Sequence, residues 1–117
     1  MGMSADILAI GRFSPDIADA LDYPAELYAR TRPGVPVLAT LFSMMPGSSS
    51  SHAFAAHLGT NDAWDFNDHK IDPARVNLEA LREFLATLDD PADYLRDVER
   101  FVRLRDKEFE FYFRPNG

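Results

Sequence analysis

The chain has 117 residues, 46% of them hydrophobic, with nine Phe, four Tyr and one Trp, enough for one domain that buries about two-thirds of the surface its unfolded form exposes. A formal net charge of −7 repels phosphate backbones, which argues against nucleic acid and favours either a basic protein partner or plain solubility. The absence of cysteine excludes a disulfide framework, thiolate metal sites and a cysteine nucleophile. No apolar run of 18 or more residues and no basic-then-apolar leader occurs, so the expectation is a cytoplasmic chain with no membrane partner. Met1-Gly2-Met3 reads as an expression scar, which leaves a single domain over 4–117.

Residues 5–13 open with an unbroken apolar run, Ile7-Leu8-Ala9-Ile10, as expected of a central strand covered on both faces. Ser14-Pro15-Asp16 then supplies a helix start: a capping hydroxyl, a proline at the first position and an acid at the positive end of the dipole. That helix should run to about Asp22, break at Tyr23-Pro24 and resume over 24–30. Arg32-Pro33-Gly34 is a turn, and 35–42 is a second apolar strand. Strand, helical crossover of about twenty residues, strand is the βαβ pattern, which predicts a parallel pair and a right-handed connection.

Pro46 to Ser51 breaks the second strand, and a short helix over 52–58 should end in a left-handed residue at Gly59. Thr60 to Asp72 shows no period. Asp72-Pro73 and Val76-Asn77 are competing starts for a helix that carries Leu78, Leu81, Leu85 and Leu88 on one stripe. Asp90-Pro91 repeats the cap-plus-proline device before a helix with Tyr94, Leu95, Val98, Phe101 and Val102 on its apolar face. Phe109, Phe111 and Phe113 alternate with polar residues, which predicts a half-buried strand at the sheet edge. The expected fold is a small layered α/β domain of order β-α-β-α-α-α-β, with a parallel central strand pair and a C-terminal edge strand.

Were the first two strands parallel, their carboxyl ends would share one edge and gather Arg12, Ser14, Ser48, Ser49, Ser50, Ser51 and His52. Free amides at a helix start, hydroxyls and a guanidinium suit phosphate, sulfate or carboxylate. The segment lacks the second glycine and the Lys-Ser/Thr pair of a nucleotide-binding loop. His52 and His57 lie about 140° apart on a helix, which is wrong for zinc, and no G-x-S-x-G elbow supports a serine hydrolase.

The stretch "DAWDFNDHKID", 62–72, combines acids with large rings. Its spacing fails the calcium-loop pattern, so no metal and no cofactor is expected. Asp62, Trp64, Asp65, Phe66, Asp68 and His69 are instead interface candidates, with burial of the rings as a loop anchor the competing fate. Arg96, Arg100, Arg103 and Lys107 form a basic stripe, and Asp16, Asp19 and Asp22 an acidic one. These read as solvated faces, with pairing between two copies as the functional rival; a homodimer is compatible with the sequence but not indicated by it. The leading function is a small acidic protein-binding module, inhibitory, immunity-like or regulatory, without catalysis. The alternative is a small enzyme or sensor that holds a phosphate- or carboxylate-bearing ligand at the strand ends.

Overall fold

Nine strand-forming residues, Ser4–Arg12, make β1, the spine of the molecule. The structure, a computed structural model, describes residues 4–22, 24–42, 48–59 and 69–116. After β1 come a 3-10 turn at Pro15–Ile17, α1 (Ala18–Leu21), α2 (Ala25–Arg30) and β2 (Pro36–Leu41). Next are α3 (Ser48–His57), β3 (His69–Ile71), a second 3-10 turn at Pro73–Arg75, α4 (Leu78–Ala86), α5 (Ala92–Asp106) and β4 (Glu110–Asn116). The strands form one sheet of order β2-β1-β4-β3, and every neighbouring pair is antiparallel.

The parallel central pair expected from sequence is therefore overturned: Ile7 lies opposite Leu41 and Arg12 opposite Pro36. The cause is local. Val35 N–H donates to Arg32 C=O, and Gly34 at φ 86 occupies the third position of that turn behind Pro33, the pattern of a type II turn. Gly34 N–H donates to Phe13 C=O while Phe13 N–H donates to Val35 C=O, both at 2.8 Å. Two residues facing one, with a left-handed glycine first, is a β-bulge, and it locks β1 and β2 as the arms of a hairpin. The residues between are a helical insertion in that hairpin, since the four residues of α1 and the six of α2 are too short to carry the chain back along the sheet.

A second expectation fails with it. The C-terminal strand is not an edge: β4 lies between β1 and β3. The strand that displaces it from the edge, β3, has only three residues, too few to show a period of two.

Alternation along the strands divides the residues between two faces. Ile7, Ala9, Ala39, Leu41, Ile71, Phe111 and Phe113 point to the side where the helices pack, and they form one core with Phe54 and Leu58 of α3, Leu81 and Leu85 of α4, and Phe101 and Leu104 of α5. Rings tie the layers together, with Phe101 and Phe111 centroids 4.4 Å apart and Phe42 and Phe54 5.2 Å apart. Gly11 also faces inward. A Cβ there would stand 2.5 Å from the Phe109 ring, so the missing side chain is what lets that ring lie across β1.

Both competing helix starts are used. Asp72 Oδ1 accepts from Ala74 N–H at the 3-10 turn, and Asn77 Oδ1 accepts from Ala80 N–H at α4. Gly59 takes the left-handed conformation expected of it, at φ 75. Neither Ser14 nor Pro91 offers a side-chain cap where a Ser-Pro and an Asp-Pro signal led us to expect one.

Candidate functional site

The two charged stripes meet inside one chain. Asp22 pairs with Arg96 at 3.2 Å, Asp19 with Arg103 and Asp16 with Lys107, and Arg103 also donates to the Asp16 carbonyl. The spacing explains the match: acids three apart along the first helical segment face bases four to seven apart along α5. The stripes are thus exposed faces whose charges pair with one another within the chain. The Lys107 ammonium is the main reason, with the Ser14 hydroxyl second, that Asp16 is lowered to about 2. Arg103 lowers Asp19 in the same way. Both carboxylates stay charged far into the acid range, and the ion pairs they make are lost only as pH falls through those depressed values.

Arg100 does not join that ladder. It turns inward and is buried with Asp97, one turn earlier on α5, their Nη1 and Oδ1 atoms 2.8 Å apart. Its Nε donates to Ala20 C=O at 2.8 Å and its Nη1 also to Thr40 C=O at 3.3 Å, while Asp97 Oδ2 accepts from Phe42 N–H at 2.8 Å. The pair therefore fastens α5 to both α1 and the outer side of β2, with both charges hydrogen-bonded as burial demands.

Above this pair opens a cleft of about 640 Å³, lined among others by Thr40, Asp89, Asp90, Asp93, Tyr94 and Asp97. Its walls carry five aspartates against two arginines, a net of −3. Arg96 and Arg100 are engaged by Asp22 and Asp97. Asp89, Asp90 and Asp93 form no ion pair among the described residues. Tyr94 stands half-buried beside them, and its hydroxyl is pushed above the usual phenol range by burial first, then by the charges of Asp93 and Asp97. No group of three or more ligating side chains among the described residues is arranged to hold a metal ion.

Thr40 joins the cleft to the second feature, the outer face of the sheet. Antiparallel register aligns Leu8 between Thr40 and Tyr112, and Ile10 between Leu38 and Glu110. Leu8 is buried yet stands outside the helix-side core. Ile10 and Leu38 are 39% and 46% exposed. Charge rims the patch: Lys70 pairs with Glu110 at 3.5 Å, and the Tyr112 hydroxyl donates to Glu110, which with burial raises that phenol.

The anion-binding set is not assembled as expected. Arg12 ends β1 beside the start of β2, where its Nη1 donates to Gly34 C=O at 2.9 Å. Leu41, after which the chain runs on to Ser48, lies opposite Ile7 at the other end of the strand pair. Antiparallel pairing removes the shared carboxyl edge that put Arg12 with the serines. Ser14 Oγ is buried near enough to the Asp16 carboxylate to help hold it charged, but outside strict hydrogen-bond geometry. Ser48, Ser49, Ser50, Ser51 and His52 open α3, but their side chains lie outside the described residues. Among the interface candidates, Asp62, Trp64, Asp65, Phe66 and Asp68 also lie outside the described residues. His69 is half-buried on β3, on the same side as Ile71 and opposite Phe113, so it does not belong to the outer patch.

Sequence reasoning passed over the cleft because "DDPADY" at 89–94 looked like a helix start and nothing more. The available signal was three aspartates within five residues with no basic residue between them. Asp97 was likewise unremarked, although Asp and Arg three apart on a helix face one another. No family model, no curated protein and no solved structure matches the chain.

Proposed function

We propose that the chain is a small acidic protein-binding module, acting by surface complementarity and without catalysis of its own. One observation carries the reading. The sheet leaves an apolar outer face that no described helix covers, and that face continues through Thr40 into a cleft whose Asp89, Asp90 and Asp93 have no cationic partner among the described residues. A partner with apolar side chains flanked by Arg or Lys fits both halves: the apolar side chains rest on the exposed Ile10 and Leu38, and a cation enters beside Tyr94, where the ring face and the carboxylates attract it together. The net charge of −7 steers such a partner from a distance and repels acidic competitors.

The test uses a synthetic extended peptide that alternates leucine with arginine, and a control in which glutamate replaces arginine. Binding of the arginine peptide should perturb the amide resonances of Leu38, Thr40 and Asp89 to Asp93. It should weaken with added salt, because charges separated by more than about 8 Å are screened at physiological ionic strength. Asp89→Asn with Asp93→Asn should weaken binding several-fold without changing the fold. Equal binding of both peptides, or perturbations confined to other surfaces, would overturn the reading.

A further inference from the structure

Among the described residues the sheet has two edges, β2 and β3, and an edge strand offers N–H and C=O groups to any other strand. β3 is only three residues long, which makes it a poor template. β2 is twice that length, and its outward-facing groups can be identified. In an antiparallel pair, residues alternate between those that exchange hydrogen bonds with the neighbour and those whose backbone groups point away. The bulge fixes the phase: Phe13 N–H bonds Val35 C=O, so Val37, Ala39 and Leu41 bond inward to β1. The backbone groups of Pro36, Leu38, Thr40 and Phe42 then point outward.

Pro36 has no N–H to offer. At the other end, Thr40 C=O accepts from Arg100 Nη1, and Phe42 N–H donates to Asp97 Oδ2. One donor and one acceptor that take the C=O of one residue and the N–H of the residue two further on reproduce what a single residue of a neighbouring parallel strand would supply. The two side chains hold that arrangement because they bond each other at 2.8 Å and Arg100 is anchored on Ala20 C=O. We propose that the Asp97–Arg100 ion pair stands in for a fifth strand at the β2 edge, and so keeps the sheet from growing by strand addition from a second copy of this chain.

The role differs from simple stabilisation. A buried ion pair can often be exchanged for apolar residues of similar size without loss of stability, so thermodynamics alone does not call for one here. What apolar residues cannot do is satisfy Thr40 C=O and Phe42 N–H. With those groups released, they become a template that another strand can pair with.

Two measurements decide it. In the unaltered protein, amide exchange at Phe42 should be slower than at Thr40, whose outward N–H has no stand-in, by on the order of 100-fold, although both lie on one edge. Comparable exchange at the two amides would overturn the proposal whatever any variant does. The double variant Asp97→Leu with Arg100→Met should then lose Phe42 protection and form concentration-dependent oligomers by sedimentation velocity, with added β-sheet signal in the infrared amide band. Asp97→Asn, which keeps an acceptor for Phe42 N–H, should stay protected and unassociated. A double variant that folds but remains unassociated at the concentrations where association is sought would also overturn it.

Discussion

The same strands present two different faces. On the helix side, β1 and β4 contribute Ile7, Ala9, Phe111 and Phe113, all 2% exposed or less, to a core in which Phe101 and Phe111 meet at 4.4 Å. On the other side, one residue away along each strand, Leu8 is buried, whereas Ile10 and Leu38 are 39% and 46% exposed and Tyr112 donates to Glu110. Helix packing accounts for every large residue on the first face. Among the described residues no helix joins the second face, where alternating polar residues would have served an antiparallel sheet equally well. The exposed Ile10 and Leu38 are the apolar side chains that the proposed partner would use, and this difference is why the outer face and not the core anchors the functional reading.

The contrast breaks most visibly on the inner face. Phe101 is fully buried at the junction of α5 with β4, so Phe101→Ala removes a ring that its neighbours cannot close over. The expected loss of stability is about 3–5 kcal/mol, read from urea unfolding. A loss below about 1 kcal/mol would mean that the helix layer does not press on the sheet at this point.

Gly11 tests the inner face from the opposite direction, by adding volume. A methyl at this position meets the Phe109 ring at 2.5 Å, so Gly11→Ala must displace the ring or bend β1. We expect a loss of about 1–3 kcal/mol, typical of overpacking. Its signature should be a shift in the Phe109 ring resonances. Paired with Phe109→Leu, the alanine should cost less than it does alone, because the smaller side chain makes room.

How much of this was legible beforehand depends on the range of the signal. The phenylalanines of β4 and the leucine stripe of α4 are local periods, and both elements form where the pattern puts them. β1 is a central strand, as its unbroken apolar run leads one to expect, but the cover that the run implies on both faces is uneven: Ile7 and Ala9 lie in the helix-side core, whereas on the other face Leu8 is buried and Ile10 is 39% exposed. Pairing direction was beyond reach for a different reason. Arg32-Pro33-Gly34 announces a turn in any fold, but whether Phe13 bonds back to Val35 depends on two residues more than twenty apart. The acidic and basic stripes were likewise visible, and only the tertiary fold shows that Asp19 and Arg103, 84 residues apart, belong to each other. The site was less legible still. Asp89, Asp90 and Asp93 become distinctive only by contrast with Asp16, Asp19 and Asp22, which have found their cations.

The smallest expected effect is the most informative about the outer face. Leu38 is 46% exposed on an edge strand, and threonine is a good strand former of similar width, so Leu38→Thr should change stability by no more than about 0.5 kcal/mol. The same substitution should weaken binding of the leucine–arginine peptide, since it removes the most exposed apolar side chain of the patch. A small change in unfolding with a clear loss of binding assigns Leu38 to a partner. The reverse, a loss of about 1.5 kcal/mol or more in unfolding with binding unaltered, assigns it to the chain's own packing and would leave the two faces of the sheet alike after all.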